Sequence, residues 1–180
     1  GSEMCIRDRG YFLFTNLLLD LLKKESESRI INVSSAAHHF VKGMQWDDIN
    51  YKDDFKMGLK AYGQSKLGNI LFTKQLAKKL QKDGVTVNAI HPGGVNTSLG
   101  NQNNSLLGRA LKIILKPFFR SPLKGANTII YLAEIDGLSI TGAYWVDGRV
   151  AKTSHYSKNE AEAEKLWRLS EKLVNQEFDI

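Results

Sequence analysis

The sequence is short of several things that define protein classes: it has one cysteine, three prolines and no two glycines spaced as G-x-G. A lone Cys5 cannot build a disulfide scaffold, and it gives no sign of an oxidising compartment, so a reducing intracellular setting is expected. Three prolines exclude a Pro-rich linker protein. Without G-x-G the chain holds neither the dinucleotide fingerprint nor a Walker loop. Gly63-Gln64-Ser65-Lys66-Leu67 lacks the second glycine of a nucleophile elbow. No metal is expected, because His38, His39, His91, His155 and Cys5 show no ligand spacing. The most apolar run, Phe12 to Leu22, carries Asn16 and Asp20 and is shorter than the roughly 20 residues of a membrane span. Glu3 and Asp8 precede it and no small-residue cleavage site follows, which argues against a signal peptide. An excess of one charge is also modest: Lys+Arg 25 against Asp+Glu 19 gives +6. Lys74, Lys78, Lys79 and Lys82 read as the wet face of a helix without interleaved aromatics, so no nucleic-acid partner is expected.

What remains is an ordinary globular composition. Hydrophobic residues make up 42%, and with 15 glycines the apolar share reaches the soluble-domain norm, enough for one sizeable core. Tyr11 to Lys24 reads as a helix, followed by a β-branched run from Arg29 to Ser35 that reads as a buried strand. His38 to Gly58 is irregular and polar, as in a loop insertion. A long helix is expected from Ala61 to Lys82, closed by Asp83-Gly84, and a strand from Val85 to Ile90, stopped at His91-Pro92-Gly93-Gly94. Leu106 to Phe119 reads as a very apolar helix. Ser121-Pro122 opens another, to about Leu132. Thr141 to Val146 is a third strand, ending at Asp147-Gly148. Ser157 to Glu160 has capping-box form before a last helix to Glu177, with Leu166, Leu169, Leu173 and Val174 as its apolar stripe. Strands alternating with long helices signify right-handed βαβ units, hence an α/β fold with an open parallel sheet.

The residues with chemical promise are Tyr62 and Lys66. Four apart on a helix, they share a face, and none of the other five tyrosines has lysine at that spacing. One strand ends at Ser34-Ser35 just before them, and another ends at Pro92-Gly93 just after. In an open α/β sheet the carboxyl ends of the strands line the binding crevice, so three polar elements converge there. A free phenol is a poor base at neutral pH. An ammonium about 4 Å away, at an effective dielectric near 20, favours its ionised form by roughly 4 kcal/mol. Lys66 is therefore expected to make Tyr62 a proton donor and acceptor, with Ser35 holding a substrate oxygen beside it.

Val33-Ser34-Ser35, Tyr62-Gly63-Gln64-Ser65-Lys66 and Pro92-Gly93-Gly94-Val95-Asn96-Thr97 resemble the catalytic and cofactor motifs of the short-chain dehydrogenase/reductase family. Asn32 to His39, Ser65 to Phe72 and the long Ser35–Tyr62 interval are similar to the branch holding the retinol dehydrogenases and the WW-domain oxidoreductase. The resemblance implies that Ser35 orients the substrate, that Tyr62 is the acid/base, and that Lys66 tunes it while holding the nicotinamide ribose. Pro92, Gly93, Val95 and Thr97 would cradle the nicotinamide end. It further implies hydride transfer between NAD or NADP, leaning to NADP, and a small hydrophobic alcohol or carbonyl.

The family fold is a Rossmann-type doubly wound parallel sheet, and this chain matches its C-terminal portion, with the first βαβ half missing. On this resemblance residues 10–180 would form the partial NAD(P)-binding catalytic domain; residues 1–9 read as an assembly scar, with Arg7 where relatives carry a catalytic-set asparagine. This chain alone is then expected to be inactive and sticky at an unpaired sheet edge. The alternative is a non-catalytic interaction protein that keeps the fold. In the specificity segment, Leu106 to Phe119 suggests a cover for a lipid-like substrate such as a retinoid. A helix packed on the core and, with Arg109, Lys112, Lys116 and Arg120, membrane-surface contact through residues 106–120 stay equally open. Family habit adds a homodimer through Tyr11–Lys24 and Ala61–Lys82, and endoplasmic-reticulum or mitochondrial membrane association of the complete protein.

Overall fold

A computed structural model describes residues 2–25, 27–51, 58–93 and 121–180. Helix α1 spans Ser2–Leu22, longer at its start than the expected Tyr11, because residues 2–10 run helically into it without a break. Strand β1 (Arg29–Val33) alternates half-buried and buried positions. Ser35 then caps a 3-10 turn at Ala36–Phe40. Helix α2 covers Gly58–Lys79, followed by β2 (Thr86–His91), helix α3 (Pro122–Glu134), β3 (Tyr144–Val146), β4 (Arg149–Val150), a 3-10 turn at His155–Lys158 and helix α4 (Glu160–Val174). The expected helix between Leu106 and Phe119 lies outside the described residues, as do Val95 and Thr97.

The sheet order is β1-β2-β3-β4. β1 and β2 pair in parallel from Arg29↔Thr86 to Val33↔Ile90, and β3 lies parallel to β2 with Ile90↔Trp145. The α/β reading with a parallel sheet holds, with one addition. Asp147 and Gly148, read as a strand end, both take positive φ (53° and 70°) and turn the chain into antiparallel β4, as an Asp-Gly hairpin does.

Helix α2 is the hub. Its Leu67, Ile70, Leu71, Leu76 and Leu80 are fully buried, shared among the apolar clusters on its several sides. Beneath α1 and α4, Phe12, Phe72 and Trp167 pack edge-on and stacked with centroids 4.9–5.9 Å apart. The segment expected as a loop insertion is packed rather than loose: Val41 and Met44 join Leu67, Leu71 and Ala163 in one cluster. The lysine face of α2 is not wholly wet either. Lys79 lies over the Trp167 ring at 4.8 Å, and Lys78 pairs with Glu160 at 2.7 Å.

The last helix differs from its sequence reading at its start. Asn159, not Ser157, is the cap, accepting from the Glu162 N–H at 3.2 Å, while the Ser157 hydroxyl donates to the Ser154 carbonyl. Both residues suit a cap chemically; tertiary packing of Ser157, fully buried in the 3-10 turn, decides between them.

Candidate active site

Parallel pairing of β1 and β2 brings their carboxyl ends together, and α2 runs past both. The backbone N–H of Ser34 donates to Ile90 O at 2.8 Å, extending the ladder one residue beyond β1. Its hydroxyl donates to Lys66 O at 2.8 Å, so this serine is committed to fastening α2 to the sheet. Val33 O receives two side-chain donors from α2: Lys66 Nζ at 3.2 Å and Asn69 Nδ2 at 3.0 Å. A second buried relay follows, Asn32 Nδ2 donating to Thr73 Oγ1 and that hydroxyl to Asn69 O. These bonds set the rotation of α2, and they fix which of its faces meets the end of β1.

On that face the Lys66 ammonium lies 5.5 Å from the centroid of the Tyr62 ring. Lys66 is buried, whereas Tyr62 is 39% exposed. The cation is thus held inside by protein groups while the phenol reaches the open side. Tyr144, on β3, is close enough to interact electrostatically with Tyr62, and its buried hydroxyl has no hydrogen-bond partner among the described residues. Burial first, and Tyr62 second, push the Tyr144 phenol well above the usual tyrosine range, so it stays protonated.

Ser35 follows directly. Its Oγ accepts from the Ala37 N–H at 3.2 Å, capping the 3-10 turn. That bond uses a lone pair, and a hydroxyl keeps an O–H for donation elsewhere. The next amide, Ala36 N–H, meets His91 Nδ1 at 3.4 Å, which ties the turn to the end of β2. Beyond it Gly93 takes φ +83°, a left-handed conformation that suits glycine. The structure therefore gathers Ser35, Tyr62, Lys66, Pro92 and Gly93 at one end of the sheet.

Three residues that sequence reasoning passed over hold this arrangement. Gly63 lets α2 approach the Ser35 turn; a Cβ there would stand 2.7 Å from Ala37 O and 3.2 Å from Val41 Cγ1. Gln64 is fully buried, accepting from Gln45 N–H at 2.6 Å and donating to Ile49 O at 3.0 Å. Asn69 had a detectable signal, since it stands three residues after Lys66 on the same face. Among the described residues no group of three or more His, Cys, Asp or Glu is placed to hold a metal.

A strand-end serine, a helical Tyr-x-x-x-Lys and a glycine turn thus meet at the carboxyl end of a parallel α/β sheet. Residues 3–148 match the family model described as enoyl-(acyl carrier protein) reductase, and the chain belongs to this short-chain dehydrogenase/reductase family. It is 41% identical over 181 residues to mouse retinol dehydrogenase 14, with 97% of this chain and 53% of the relative aligned. Human retinol dehydrogenase 12 is 39% identical over 174 residues, covering 96% and 54%. The chloroplastic short-chain dehydrogenase TIC 32 B of Brassica napus is 39% identical over 185 residues, covering 97% and 57%. A crystal structure of a Mycobacterium paratuberculosis protein superposes with TM-score 0.72 at 27% identity, over all of this chain and 61% of that one. The chain thus spans about half the length of the retinol dehydrogenases it matches. Among the described residues no helix is long and apolar enough to cross a membrane.

Proposed function

We propose that a protein carrying this chain is an NAD(P)-dependent oxidoreductase that interconverts an alcohol and a carbonyl on a lipid-like substrate such as retinol and retinaldehyde. The observation that carries the reading is the Lys66 ammonium, anchored on Val33 O at 3.2 Å and 5.5 Å from the Tyr62 ring. The names of its relatives support the substrate class, and the resemblance favours NADP over NAD.

The residues present fit the nicotinamide-ribose end of such a cofactor. A cation, a phenol and the Pro92-Gly93 turn meet where parallel strands end, the place that open α/β sheets use for this group. The sequence offers nothing for the pyrophosphate, because it contains no G-x-G. This chain alone is therefore proposed to be inactive, with the phosphate site supplied by the upstream segment. When bound, the cofactor supplies the hydride acceptor or donor.

The chain's own residues manage the proton. Tyr62 Oη gives it to a carbonyl oxygen in reduction and takes it from the alcohol in oxidation. The positive charge of Lys66, held in a buried setting, stabilises phenolate character at Tyr62 during that transfer. Ser35 donates its O–H to the same substrate oxygen and fixes its approach to Tyr62. Tyr144 is built to stay neutral and adds no competing negative charge behind Tyr62.

The test is NAD(P)H-dependent reduction of retinaldehyde by a version that includes the upstream segment of its relatives. Ser35→Ala is expected to lower kcat about 10²-fold or more, as loss of a donor to a developing oxyanion does. Full turnover by Ser35→Ala, or no carbonyl reduction by the unmutated protein, would overturn the reading.

A further inference from the structure

The ring of His38 is fully buried within the 3-10 turn that begins at Ser35, and the proposed chemistry does not use it. Its two nitrogens have opposite tasks. The backbone N–H of Ser154 donates to Nε2 at 3.2 Å. Nε2 must then be the unprotonated nitrogen, so the proton sits on Nδ1, which donates to the Ser35 carbonyl at 2.6 Å. One neutral imidazole thus joins residues 119 apart in sequence, the shoulder of Ser35 and the buried Ser154 that anchors the turn before α4. The ring also packs edge-on against Tyr144 at 5.1 Å, the phenol that senses Tyr62 electrostatically.

We infer that His38 is a positioning residue, a neutral imidazole clasp that holds Ser35 in place against the C-terminal segment and opens when the ring gains a second proton. The inference rests on the proposed role of Ser35 for its functional meaning; the clasp itself rests on geometry. A doubly protonated ring has no lone pair for Ser154 N–H, so two donors would face each other. The surroundings also oppose the cation. Burial lowers the His38 pKa most, the hydrogen bond to Ser35 O works the other way, and His39, His91 and Lys74 add to the lowering. His39 lies on the same turn with its ring 3.9 Å away, His91 ends β2, Lys74 projects from α2, and Tyr144 comes from β3 as a neutral phenol. Among the described residues that act on the ring none is a carboxylate, so the Ser35 carbonyl is left to favour the cation against burial and three like charges.

The sign follows. The unfolded chain takes up its proton near the ordinary histidine value, about 6.5, and the folded chain at lower pH. Stability from the clasp is complete above the unfolded value and is lost as pH falls from there through the lower folded value. Activity that depends on Ser35 should fall further toward acid, as the ring in the folded chain gains its proton.

The experiment is a pH titration of the imidazole nitrogens by NMR in this chain, with amide exchange at Ser154 followed in parallel. The expected result is a single Nδ1–H tautomer at neutral pH, titration below ordinary histidine, and exchange at Ser154 rising at least about fivefold beyond its intrinsic pH dependence as the ring protonates. Ser154→Pro removes the N–H donor at a φ of −59° that suits proline, and its ring carbon, taking the place of that hydrogen 3.2 Å from Nε2, forces the clasp open. It should move the His38 titration upward and leave the tautomer unfixed. An Nε2–H tautomer in the unmutated chain, or a Ser154→Pro titration identical to it, would overturn the clasp. If Ser154→Pro fails to fold, the tautomer and exchange of the unmutated chain still decide. In the version with the upstream segment, the acidic fall of kcat should track the His38 titration and shift with Ser154→Pro. Absence of any carbonyl reduction there, with the NMR results as expected, would remove the oxidoreductase reading and leave the clasp standing.

Discussion

At Gly63 a single methyl group decides how closely α2 can approach the turn that carries Ser35. The nearest atom to an added Cβ is a backbone oxygen, Ala37 O at 2.7 Å, which cannot swing away as a side chain would. Gly63→Ala should therefore destabilise the fold by about 1–3 kcal/mol, the cost of overpacking, despite alanine's better helix propensity. Denaturant unfolding of the two proteins measures this; equal stability would mean that the turn yields freely. The spacing of Tyr62 and Lys66 was legible because helical periodicity is local and these side chains act on neighbours one turn away. Gly63 and Gln64, between them, were not. Their partners Ala37, Gln45 and Ile49 lie 15 to 26 residues earlier, in a stretch with no periodicity to place it. His38 was opaque for a similar reason: a histidine in a polar segment announces neither its burial nor its partner at Ser154.

Helix α4 shows what an amphipathic pattern reveals and what it hides. Its existence was plain, and of the expected stripe of Leu166, Leu169, Leu173 and Val174 the first and last pack half-buried against the core, but its fully buried positions are Ala163, Trp167 and Glu171, at spacings of four. Leu173 is exposed, while a carboxylate is buried. Hydrophobicity alone cannot anticipate this, because Glu171 goes inside on account of its partners. It accepts from Trp167 Nε1 at 2.9 Å, Phe178 N–H at 3.0 Å and Arg168 Nη1 at 3.1 Å. Burial pushes the carboxyl up, but the hydrogen bonds from Phe178 and Trp167 and the charge and bond of Arg168 together hold it below the usual glutamate range. A depressed carboxyl contributes stability above its unfolded pKa, near 4.3, and loses it as pH falls through the lower folded value. Glu171→Gln should thus destabilise the chain at pH 7 and flatten that acid limb of stability. Thermal unfolding across pH 2–7 reads both, and an unchanged limb would contradict the assignment.

For the whole molecule, alternation of strands and helices made the parallel sheet legible, since βαβ connection is a rule of topology rather than of any one residue. The strand-end cluster was legible for the same reason. The β4 hairpin was not, being two residues long and polar at Arg149. Among the described strands β1 pairs on one side only, and α1 presents Phe14, Leu17 and Leu21 outward at helical spacing. An exposed apolar stripe and an open strand edge are each surfaces that associate, so the chain on its own should self-associate in light scattering. Phe14→Lys with Leu21→Lys should reduce this without altering helix content; a monomeric unmutated chain at micromolar concentration would contradict it. The proton at Tyr62 is the step on which turnover depends, and Tyr62→Phe isolates it, removing one oxygen while keeping the ring beside Lys66. In the version with the upstream segment, this variant is expected to lower NAD(P)H-dependent reduction of retinaldehyde by at least about 10²-fold while NAD(P)H still binds. Turnover by Tyr62→Phe equal to that of the unmutated protein would contradict it.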